Sequence, residues 1–415
     1  MKASALIDSI AVPELRLLHA IDPLAAARKA RRMVREPVDF MRGCLPLIVP
    51  WLVDEIGPNG PWGWSVGDAH HGNFATLAVG AMKSDGVVPV TFGVADVDDE
   101  APSPWSWDLL RLLSSVALTV PEMPGAVYAD LCEVTLASYR DCLQRLGEGD
   151  LLANRIDANG LPEAVKALIV NGSGGARHKR FIADVVVGKG AAARLRRSTE
   201  LVDEPESANA LLAAWNRRLA LPKHEVVDLA RRLRPGGLSS LGRRRWWLLI
   251  REKEPITRLR LLEIKERAPS VLSRAMPVSP FVPWGAAQPV VSTMGNDPYQ
   301  RVLHLAAGSY LVRSRCHTRD VLDLTALDPS DWRRFGHLHG QLLATFHWRG
   351  LSQLLPNAPA RCQAIAADTV AWNGKLAKRA RRLATHLEDL EAAFRQRIKP
   401  LLSVARDNTE VLEFG

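Results

Sequence analysis

The sequence predicts an α+β fold in which a large helical part carries a smaller antiparallel sheet. Leucines recur at helical spacing in two long stretches, 107–120 and 376–396. Between them, a glycine-rich segment precedes two strand-like runs, 246–250 and 258–265, which are joined by a polar turn. Helical periodicity towards both ends of the chain and strand patterns in between indicate the fold class.

Composition limits the classes of partner. The chain has 415 residues, of which 47% are hydrophobic and 24% charged, so it is long enough for two or three packed units. The net charge of +9 is compatible with nucleic acid, an acidic membrane surface or anionic ligands such as ATP. Because the basic residues form short clusters, such as 231–234 and 243–245, we expect phosphate contacts and no specific nucleic acid partner. The longest apolar run, 44–53, contains two prolines and is too short for a membrane span.

Cysteine usage and the N-terminus predict a cytoplasmic protein. The number of cysteines is odd and no C-x-x-C pair occurs, so neither a disulfide framework nor a zinc site is indicated. The first residues contain Asp8 within a very short apolar stretch, which is not typical of a signal peptide. The oligomeric state is left open.

The first elements in order are helical. Asp22 and Pro23 form an N-cap and first-turn pair, which predicts a basic helix over 22–35. Arg42 lies in the following apolar stretch, 37–52. Its guanidinium is a candidate phosphate or carboxylate contact, or alternatively a surface side chain that covers apolar neighbours.

The stretch from 67 to 111 contains the residue types that phosphoryl transfer needs. Asp68 lies in a glycine-containing loop, Asn73 follows five residues later, and a strand-like run leads to Asp96 and Asp98. Amide and carboxylate oxygens are ligands that Mg²⁺ prefers, and a free carboxylate can accept a proton from an attacking hydroxyl. The alternative is structural, because these are also ordinary turn residues and Asp108 is an ordinary N-cap.

Helices are expected over 107–120, 125–147, 161–170, 328–347 and 376–396. In the last one, leucines and Phe394 form a single apolar stripe that predicts core packing. Two polar stretches, the glycine-rich 171–177 and the acidic 199–209, are expected to be a flexible loop and an exposed segment.

A second informative stretch is 235–265, where a glycine loop, a strand, a turn and a second strand end at Lys265. Closely spaced glycines allow backbone N–H groups to approach phosphate oxygens, and a strand lysine can contact the same phosphates. Taken alone, the glycines indicate a hairpin corner and the lysine a solvated side chain. Together they predict a nucleotide-binding clamp, whose candidate residues are Gly236, Gly237, Ser239, Ser240, Gly242 and Lys265.

These motifs carry a resemblance. G-D-x-H-x-G-N, then D-x-D-D and W-D-L, resembles the catalytic segment of the aminoglycoside phosphotransferase and choline kinase branch of the protein-kinase-like superfamily. More closely, the chain resembles the bacterial DUF2252 family, with its GDAHxxNFG, FDxNDFDE, PxxWDLKRL and GVGSVGTR patterns. The resemblance implies ATP and Mg²⁺ as cofactors, Asp68 as catalytic base, Asn73 and Asp96 as metal ligands, Asp98 as a possible further ligand, and Asp108 as a support for the catalytic loop.

The order of the motifs implies a circularly permuted, two-lobed, protein-kinase-like fold, because the glycine loop follows the catalytic loop. A helical lobe with the catalytic loop would comprise 1–225, a sheet-rich ATP-binding lobe 226–315, and completing helices 316–415. Lys265 and Asp96 are 169 residues apart in sequence. In such a fold, the lysine nitrogen should lie within ~10 Å of the carboxylate because both contact one ATP–Mg²⁺ unit.

Departures from the pattern leave the activity open. Gly93 and Ala95 stand where the family has Asp and Asn, and His304 stands where a glutamate would pair with the strand lysine. Either Glu266 or another acid pairs with Lys265, or the pair is absent. The favoured function is Mg²⁺/ATP-dependent phosphoryl transfer to a hydroxyl of a small molecule. The alternatives are a nucleotide-binding pseudokinase with a regulatory or interaction role, and nucleotidyl transfer on the same scaffold. The acceptor and the type of nucleotide are not determined.

Overall fold

The computed structural model describes residues 2–404 apart from short gaps and one longer segment, and confirms the α+β class. The residues outside the description are 1, 58–59, 79–82, 84–86, 155, 157–159, 219–223, 234–241, 253–257, 269, 273–296, 298, 307, 316 and 405–415.

The chain begins with five helices. These are α1 (Ala3–Leu6), which continues through one π-helical turn into α2 (Val12–Ile21), then α3 (Pro23–Met33), α4 (Pro37–Gly43) and α5 (Leu45–Glu55). The side chain of Asp22 accepts a hydrogen bond of 2.9 Å from the backbone N–H of Ala25. The predicted N-cap of α3 is therefore confirmed.

Two short antiparallel ribbons follow, of which the outer one flanks the 67–100 segment and the inner one lies within it. Strand β1 (Trp62–Ser65) pairs with β4 (Ala101–Pro104), and β2 (Phe74–Ala78) pairs with β3 (Val90–Val94). Helices α6 (Ser106–Thr119) and α7 (Gly125–Gly147) come next, close to the predicted positions.

The two polar stretches are more ordered than the sequence suggested. The glycine-rich 171–177 lies almost entirely within helices α8 (Glu163–Ser173) and α9 (Gly175–Val185), and only Gly174 separates them, so the prediction of a flexible loop was wrong. The acidic stretch contributes β7 (Leu201–Val202) and the start of α10 (Pro205–Arg218), with Leu201 buried. In both places, packing of flanking apolar side chains outweighs the local preference for a loop.

A six-stranded antiparallel sheet confirms the predicted strand–turn–strand pattern. Its remaining strands are β8 (His224–Arg232), β9 (Arg245–Glu252), β10 (Arg258–Arg267), β11 (Arg301–Leu305) and β12 (Gly308–Ser314). The spatial order is β11-β12-β10-β9-β8-β7. Two pairs of residues, Val186–Val187 (β5) and Arg194–Leu195 (β6), form a separate small ribbon.

Three helices complete the chain: α11 (Asp331–Leu354), α12 (Ala358–Asp368) and α13 (Leu376–Val404). The predicted apolar stripe of α13 is fully buried at Leu376, Leu383, Leu387, Leu390 and Phe394. It belongs to a large core built from side chains of 6–165, Leu272 and 322–398, whereas residues between 186 and 312 form two smaller clusters on the sheet. The division into 1–225, 226–315 and 316–415 stays a prediction.

None of the helices in the described part of the chain combines the length and apolar composition needed to cross a bilayer. Four cysteines in that part, Cys44, Cys132, Cys142 and Cys362, are free and buried.

Candidate functional site

The loop that carries Asp68 leaves β1 through a conformation that requires glycine. Gly67 has φ of +82°, and a Cβ at this position would lie 2.2 Å from the backbone oxygen of Asp99. Both the positive φ and the close approach exclude a side chain. The loop is thereby pressed against the acidic segment 96–100.

Asp108 fixes the backbone of this loop through hydrogen bonds. At the start of α6, its carboxylate accepts hydrogen bonds from the backbone N–H groups of Val66 (2.6 Å) and Gly67 (3.1 Å). Nε2 of His347 lies 2.9 Å from Oδ2 of Asp108, and Nδ1 of His347 is hydrogen bonded to the Tyr139 hydroxyl at 2.7 Å. These side chains are buried. The predicted support of the loop by Asp108 is confirmed, and His347 is a further support that the sequence analysis missed.

Asp68 itself is buried and bound to an arginine that the sequence analysis did not identify. Arg111 donates from Nε to Oδ1 at 2.8 Å and from Nη2 to the same oxygen, and Nη2 also donates to the Met41 backbone oxygen at 2.9 Å. The other oxygen, Oδ2, lies 3.6 Å from Nε2 of His70. Burial raises the pKa of Asp68, and the neighbouring Arg111 acts against this. Arg111 follows Asp108 by three residues, so both project from one side of α6.

Asn73 links this loop to the next candidate ligand. Its side-chain amide donates to the backbone oxygen of Asp68 at 2.7 Å. Its own backbone oxygen accepts from the N–H of Ala95 at 2.8 Å, which extends the β2–β3 pairing by one step. The antiparallel ribbon therefore places Asn73 beside the residue that precedes Asp96.

Asp96 and Asp98 meet Lys265 across the boundary between the ribbon and the six-stranded sheet. Nζ of Lys265 lies 3.8 Å from Oδ1 of Asp96 and forms an ion pair with Oδ2 of Asp98. Arg319 Nη2 lies 3.2 Å from Oδ2 of Asp96, and Arg243 Nη1 lies 3.5 Å from Oδ2 of Asp98. The predicted proximity of Lys265 and Asp96 is confirmed.

Burial and charge act in opposite directions on these groups. Burial lowers the pKa of Lys265 to about 8, and Asp96 opposes that shift. Burial alone would raise the pKa of Asp96, but Lys265 and then Arg319 hold it well below its usual range. Asp96 therefore stays ionised although it is surrounded by protein.

The face of β10 that carries Lys265 is charged along its length. Glu263, Lys265 and Arg267 alternate along the strand, and Glu263 is fully buried between Arg313 (2.8 Å) and Arg245 (3.2 Å). Burial would raise the pKa of Glu263, but Arg313 and then Arg245 hold it well below its usual range. Charged side chains at period two inside an apolar strand are a sequence signal for this face, whereas Lys265 was identified from its position at the end of the strand.

Two further acids extend the contact between the ribbon and the sheet. Asp99 accepts from the Ser270 hydroxyl at its backbone oxygen (2.8 Å) and from the Val271 N–H at its carboxylate (3.2 Å). Glu100 accepts from the indole N–H of Trp64 (3.2 Å) and lies 3.8 Å from Arg267. All four acidic residues of 96–100 therefore contact β10 or the residues that follow it.

Other candidates are not part of this cluster. The Arg42 side chain is one-third exposed and lies 3.5 Å from Asp39. It influences the loop of Asp68 instead. The pKa of His71 is lowered to about 4 mainly by burial, and the charge of Arg42 is the next largest cause. Glu266 pairs with Arg244, and His304 is exposed and bonded to Ser309. The sequence left open whether Glu266, another acid or no acid pairs with Lys265. In the structure the partners are other acids, Asp98 together with Asp96.

The glycine loop is only partly described. Gly236, Gly237, Ser239 and Ser240 lie outside the described residues. Gly242 has φ of +82°, and a Cβ there would lie 2.2 Å from Cδ1 of Leu18 on α2. The positive φ is therefore sufficient to explain the glycine at 242, independently of phosphate binding.

The acids present fit a hard divalent cation with few protein ligands. Oδ1 of Asp96 and Oδ1 of Asp98 are buried oxygens without a hydrogen-bond partner within the described residues. Two carboxylates and the nearby Asn73 amide match the small protein ligand set that Mg²⁺ uses when phosphates and water complete its shell. Over the same residues, no group of three or more His, Cys, Asp and Glu side chains is arranged to hold a metal. A cation here would depend on phosphate oxygens for the rest of its coordination.

A cleft of about 80 Å³ opens beside Asp96. It is lined by Leu77, Ala95, Val97, Leu311, Arg313 and Arg319, among others. Ligand pockets for small molecules are typically several hundred Å³, so this cleft accommodates a small polar group in its present shape and must widen for anything larger.

Comparison with known proteins identifies one family. Residues 21–397 match the family model DUF2252, described as an uncharacterized protein conserved in bacteria. No curated protein and no solved structure matches the chain. The matched span includes the Asp68 loop, the acidic segment and Lys265. The chain therefore belongs to the DUF2252 family.

Proposed function

We propose that this protein is a Mg²⁺/ATP-dependent phosphotransferase that acts on a hydroxyl of a small molecule, on a circularly permuted, two-lobed, kinase-like scaffold. The observation that carries the proposal is the meeting of Lys265 with Asp96 and Asp98, directly beside the loop of Asp68 and Asn73. A buried lysine, two carboxylates, an amide and a further carboxylate are the groups that phosphoryl transfer requires.

Each residue has a role that its contacts support. Lys265 would bind phosphate oxygens from the sheet side, and Asp96 and Asp98, with Asn73, would hold Mg²⁺. Bound there, Mg²⁺ supplies neutralisation of phosphate charge. Five cations contact three acids in the described part of this cluster: Lys265, Arg243, Arg245, Arg313 and Arg319 against Asp96, Asp98 and Glu263. These cations would contact the phosphate oxygens of an anionic ligand in place of the acids.

Asp68 would act on the acceptor hydroxyl. The raised pKa of this carboxyl suits a general base, and Arg111 fixes its orientation through Oδ1. The second oxygen, Oδ2, is directed towards His70 and is the oxygen available to a hydroxyl.

A nucleotide-binding pseudokinase is the second candidate, and one observation favours it. Asp68 is 5% exposed and its carboxylate is engaged by Arg111, an arrangement that suits a structural anchor as well as a base. In that case, the cluster at Lys265 would bind nucleotide without transfer.

Calorimetry with three proteins separates these functions. Native protein, Asp68→Ala and Asp96→Ala are titrated with ATP in the presence and absence of Mg²⁺, and ATP turnover is measured in parallel. A phosphotransferase requires Mg²⁺-dependent binding that is lost in Asp96→Ala, together with turnover that is lost in Asp68→Ala while its affinity stays near normal. Binding without turnover in the native protein would select the pseudokinase. No binding of any nucleotide would refute both.

A further inference from the structure

Arg319 is a residue of the cleft to which the motifs assign no role. Its guanidinium and the ammonium of Lys265 share one carboxylate: Lys265 lies at Oδ1 of Asp96 and Arg319 at Oδ2. The two cations differ in access. The Lys265 side chain is 1% exposed, whereas that of Arg319 is 34% exposed. Lys265 therefore lies at the inner end of the Asp96 carboxylate and Arg319 at its outer end.

The two cations also come from different parts of the fold. Lys265 belongs to β10 of the large sheet, whereas the backbone around Arg319 is attached to the β2–β3 ribbon. Thr76 donates its N–H to the backbone oxygen of Asp320 (3.0 Å), and its hydroxyl accepts from the N–H of Asp320 (2.8 Å). Arg177 on α9 adds two hydrogen bonds of 2.6 Å to the Asp320 carboxylate. The position of Arg319 is thus fixed by its neighbour, while its own side chain is left to reach into the cleft.

Compared with Arg313, Arg319 has guanidinium N–H groups still available. Arg313 donates to Glu263 from Nε and Nη2 and to the Ala95 backbone oxygen from Nη1, so its guanidinium is used on three sides. In the described part of the chain, the hydrogen bond of the Arg319 guanidinium is the single one to Asp96. A guanidinium with free N–H groups can bind two phosphate oxygens at once.

We propose that Arg319 and Lys265 form a two-sided clamp for a polyphosphate chain, with Arg319 as a phosphate-binding residue at the mouth of the cleft. If the oxygens of Asp96 ligate a divalent cation, both side chains lose their shared partner and turn to phosphate oxygens on either side of it. The clamp rests on the proposed function and narrows the ligand class. It predicts a chain of at least two phosphates, because a cation on Asp96 would lie between the two side chains and each would bind its own phosphate, and it makes no demand on the base or the sugar.

The test uses inorganic tripolyphosphate as the main probe, because it contains the phosphate chain without a nucleoside. Tripolyphosphate, ATP and AMP are titrated into the full-length protein with Mg²⁺, and tripolyphosphate also without it. Native protein is compared with Arg319→Gln and Arg319→Lys. Arg315→Gln is the matched control, since Arg315 lines the same cleft and its replacement removes the same unit of charge. Melting curves without ligand establish that each variant is folded.

Arg319→Gln is expected to weaken tripolyphosphate and ATP by about tenfold or more and to leave AMP unchanged, since a charge-assisted fork is lost. The affinity of Arg319→Lys should lie between those of the native protein and Arg319→Gln, because lysine keeps the charge but lacks the planar pair of N–H donors. Arg319→Lys also preserves the ion pair with Asp96, so the test can be made with this variant if Arg319→Gln does not fold. Equal losses of affinity in Arg319→Gln and Arg315→Gln would show that the effect is a general electrostatic attraction, and this would refute the clamp.

The outcomes separate the clamp from the proposed function. ATP binding that depends on Lys265 and not on Arg319 would refute the clamp and leave the function standing. If tripolyphosphate binding depends on Arg319 and ATP binds no more tightly than tripolyphosphate, the clamp would be supported and the proposal of a nucleotide ligand would be refuted. A native protein that binds no polyphosphate would refute the clamp.

Discussion

The loop of Asp68 and the cluster around Lys265 are both buried and both charged, but they are held in different ways. The loop is fixed by hydrogen bonds to its backbone: Asp108 binds the N–H groups of Val66 and Gly67, and Asn73 binds the backbone oxygen of Asp68. The cluster is held by attraction between side chains, with Lys265 and Arg319 on one carboxylate.

The difference indicates a division between a fixed frame and an exchangeable part. A backbone N–H bonded to a buried carboxylate has no alternative partner, so the loop keeps its shape whether or not a ligand is present. Ion pairs between side chains can exchange partners, because a phosphate replaces a carboxylate at little cost. The following four experiments test this division, in order of decreasing expected effect.

Removal of Asp108 should have the largest effect on stability. Asp108→Ala leaves two backbone N–H groups and Nε2 of His347 buried without their acceptor. We expect a loss of about 3–5 kcal/mol in urea unfolding, above the ~1 kcal/mol of an ordinary cap. Asp389→Ala, an exposed acid on α13, is the control and should cost less than about 0.5 kcal/mol. A loss near 1 kcal/mol for Asp108→Ala would mean that the frame is not held by this carboxylate.

Replacement of Gly67 should come next. Gly67→Ala combines a positive φ with a contact of 2.2 Å to a backbone oxygen, whereas Gly149→Ala has φ of +93° and open space around it. The second change measures the conformational cost alone, about 1–2 kcal/mol, and the first should cost more by about 1–2 kcal/mol. Equal losses in the two variants would show that the loop can move away from Asp99.

Removal of Lys265 should cost less than removal of Asp108. Lys265→Met leaves Asp96 with Arg319 and Asp98 with Arg243, so we expect a loss of about 1–3 kcal/mol in the ligand-free protein. Lys265 is buried, so it is not the solvated side chain that the residue taken alone would indicate. The double variant Lys265→Met/Asp98→Asn should regain part of the loss, because it removes an under-compensated carboxylate. Strict additivity in this cycle would contradict the coupling.

The smallest effect concerns pH. The pKa of Lys265 is lowered from 10.5 to about 8 by burial, so between pH 8 and 10.5 the unfolded chain binds more protons than the folded one at this residue. The contribution of Lys265 to the unfolding free energy therefore rises with pH in that window, by less than about 1.4 kcal/mol per pH unit. Native protein and Asp108→Ala should share this slope, and Lys265→Met should lack it. Identical slopes in native protein and Lys265→Met would place the titration elsewhere.

Local pattern was sufficient for most helices and for the strands around Lys265. Periodicity determines which face of α13 is apolar, and Asp22 caps α3 through atoms three residues apart. Asp68, Asn73, Asp96 and Lys265 became candidates because the motifs keep them in order, and the structure joins Asn73 to Asp68 and Lys265 to Asp96. Local pattern failed at 171–177, where the glycines indicated a loop but nearly all the residues belong to helices α8 and α9.

Pairing between distant residues was decided by the tertiary structure. The predicted strand by itself excludes Glu266 as the partner of Lys265, because adjacent side chains point to opposite faces, and Glu266 meets Arg244. Nothing in the sequence selects Asp98 as the partner that Lys265 has in the structure. Arg111 could have been inferred from its position three residues after Asp108, but His347 and Arg319 could not. They reach Asp108 and Asp96 from more than two hundred residues away, through the packing of α11 and the attachment of 318–321 to β2. Sequence alone determined which chemical groups are present. The partners of each charge depend on which surfaces are buried together, because a buried charge is stable only where the fold supplies its counter-charge.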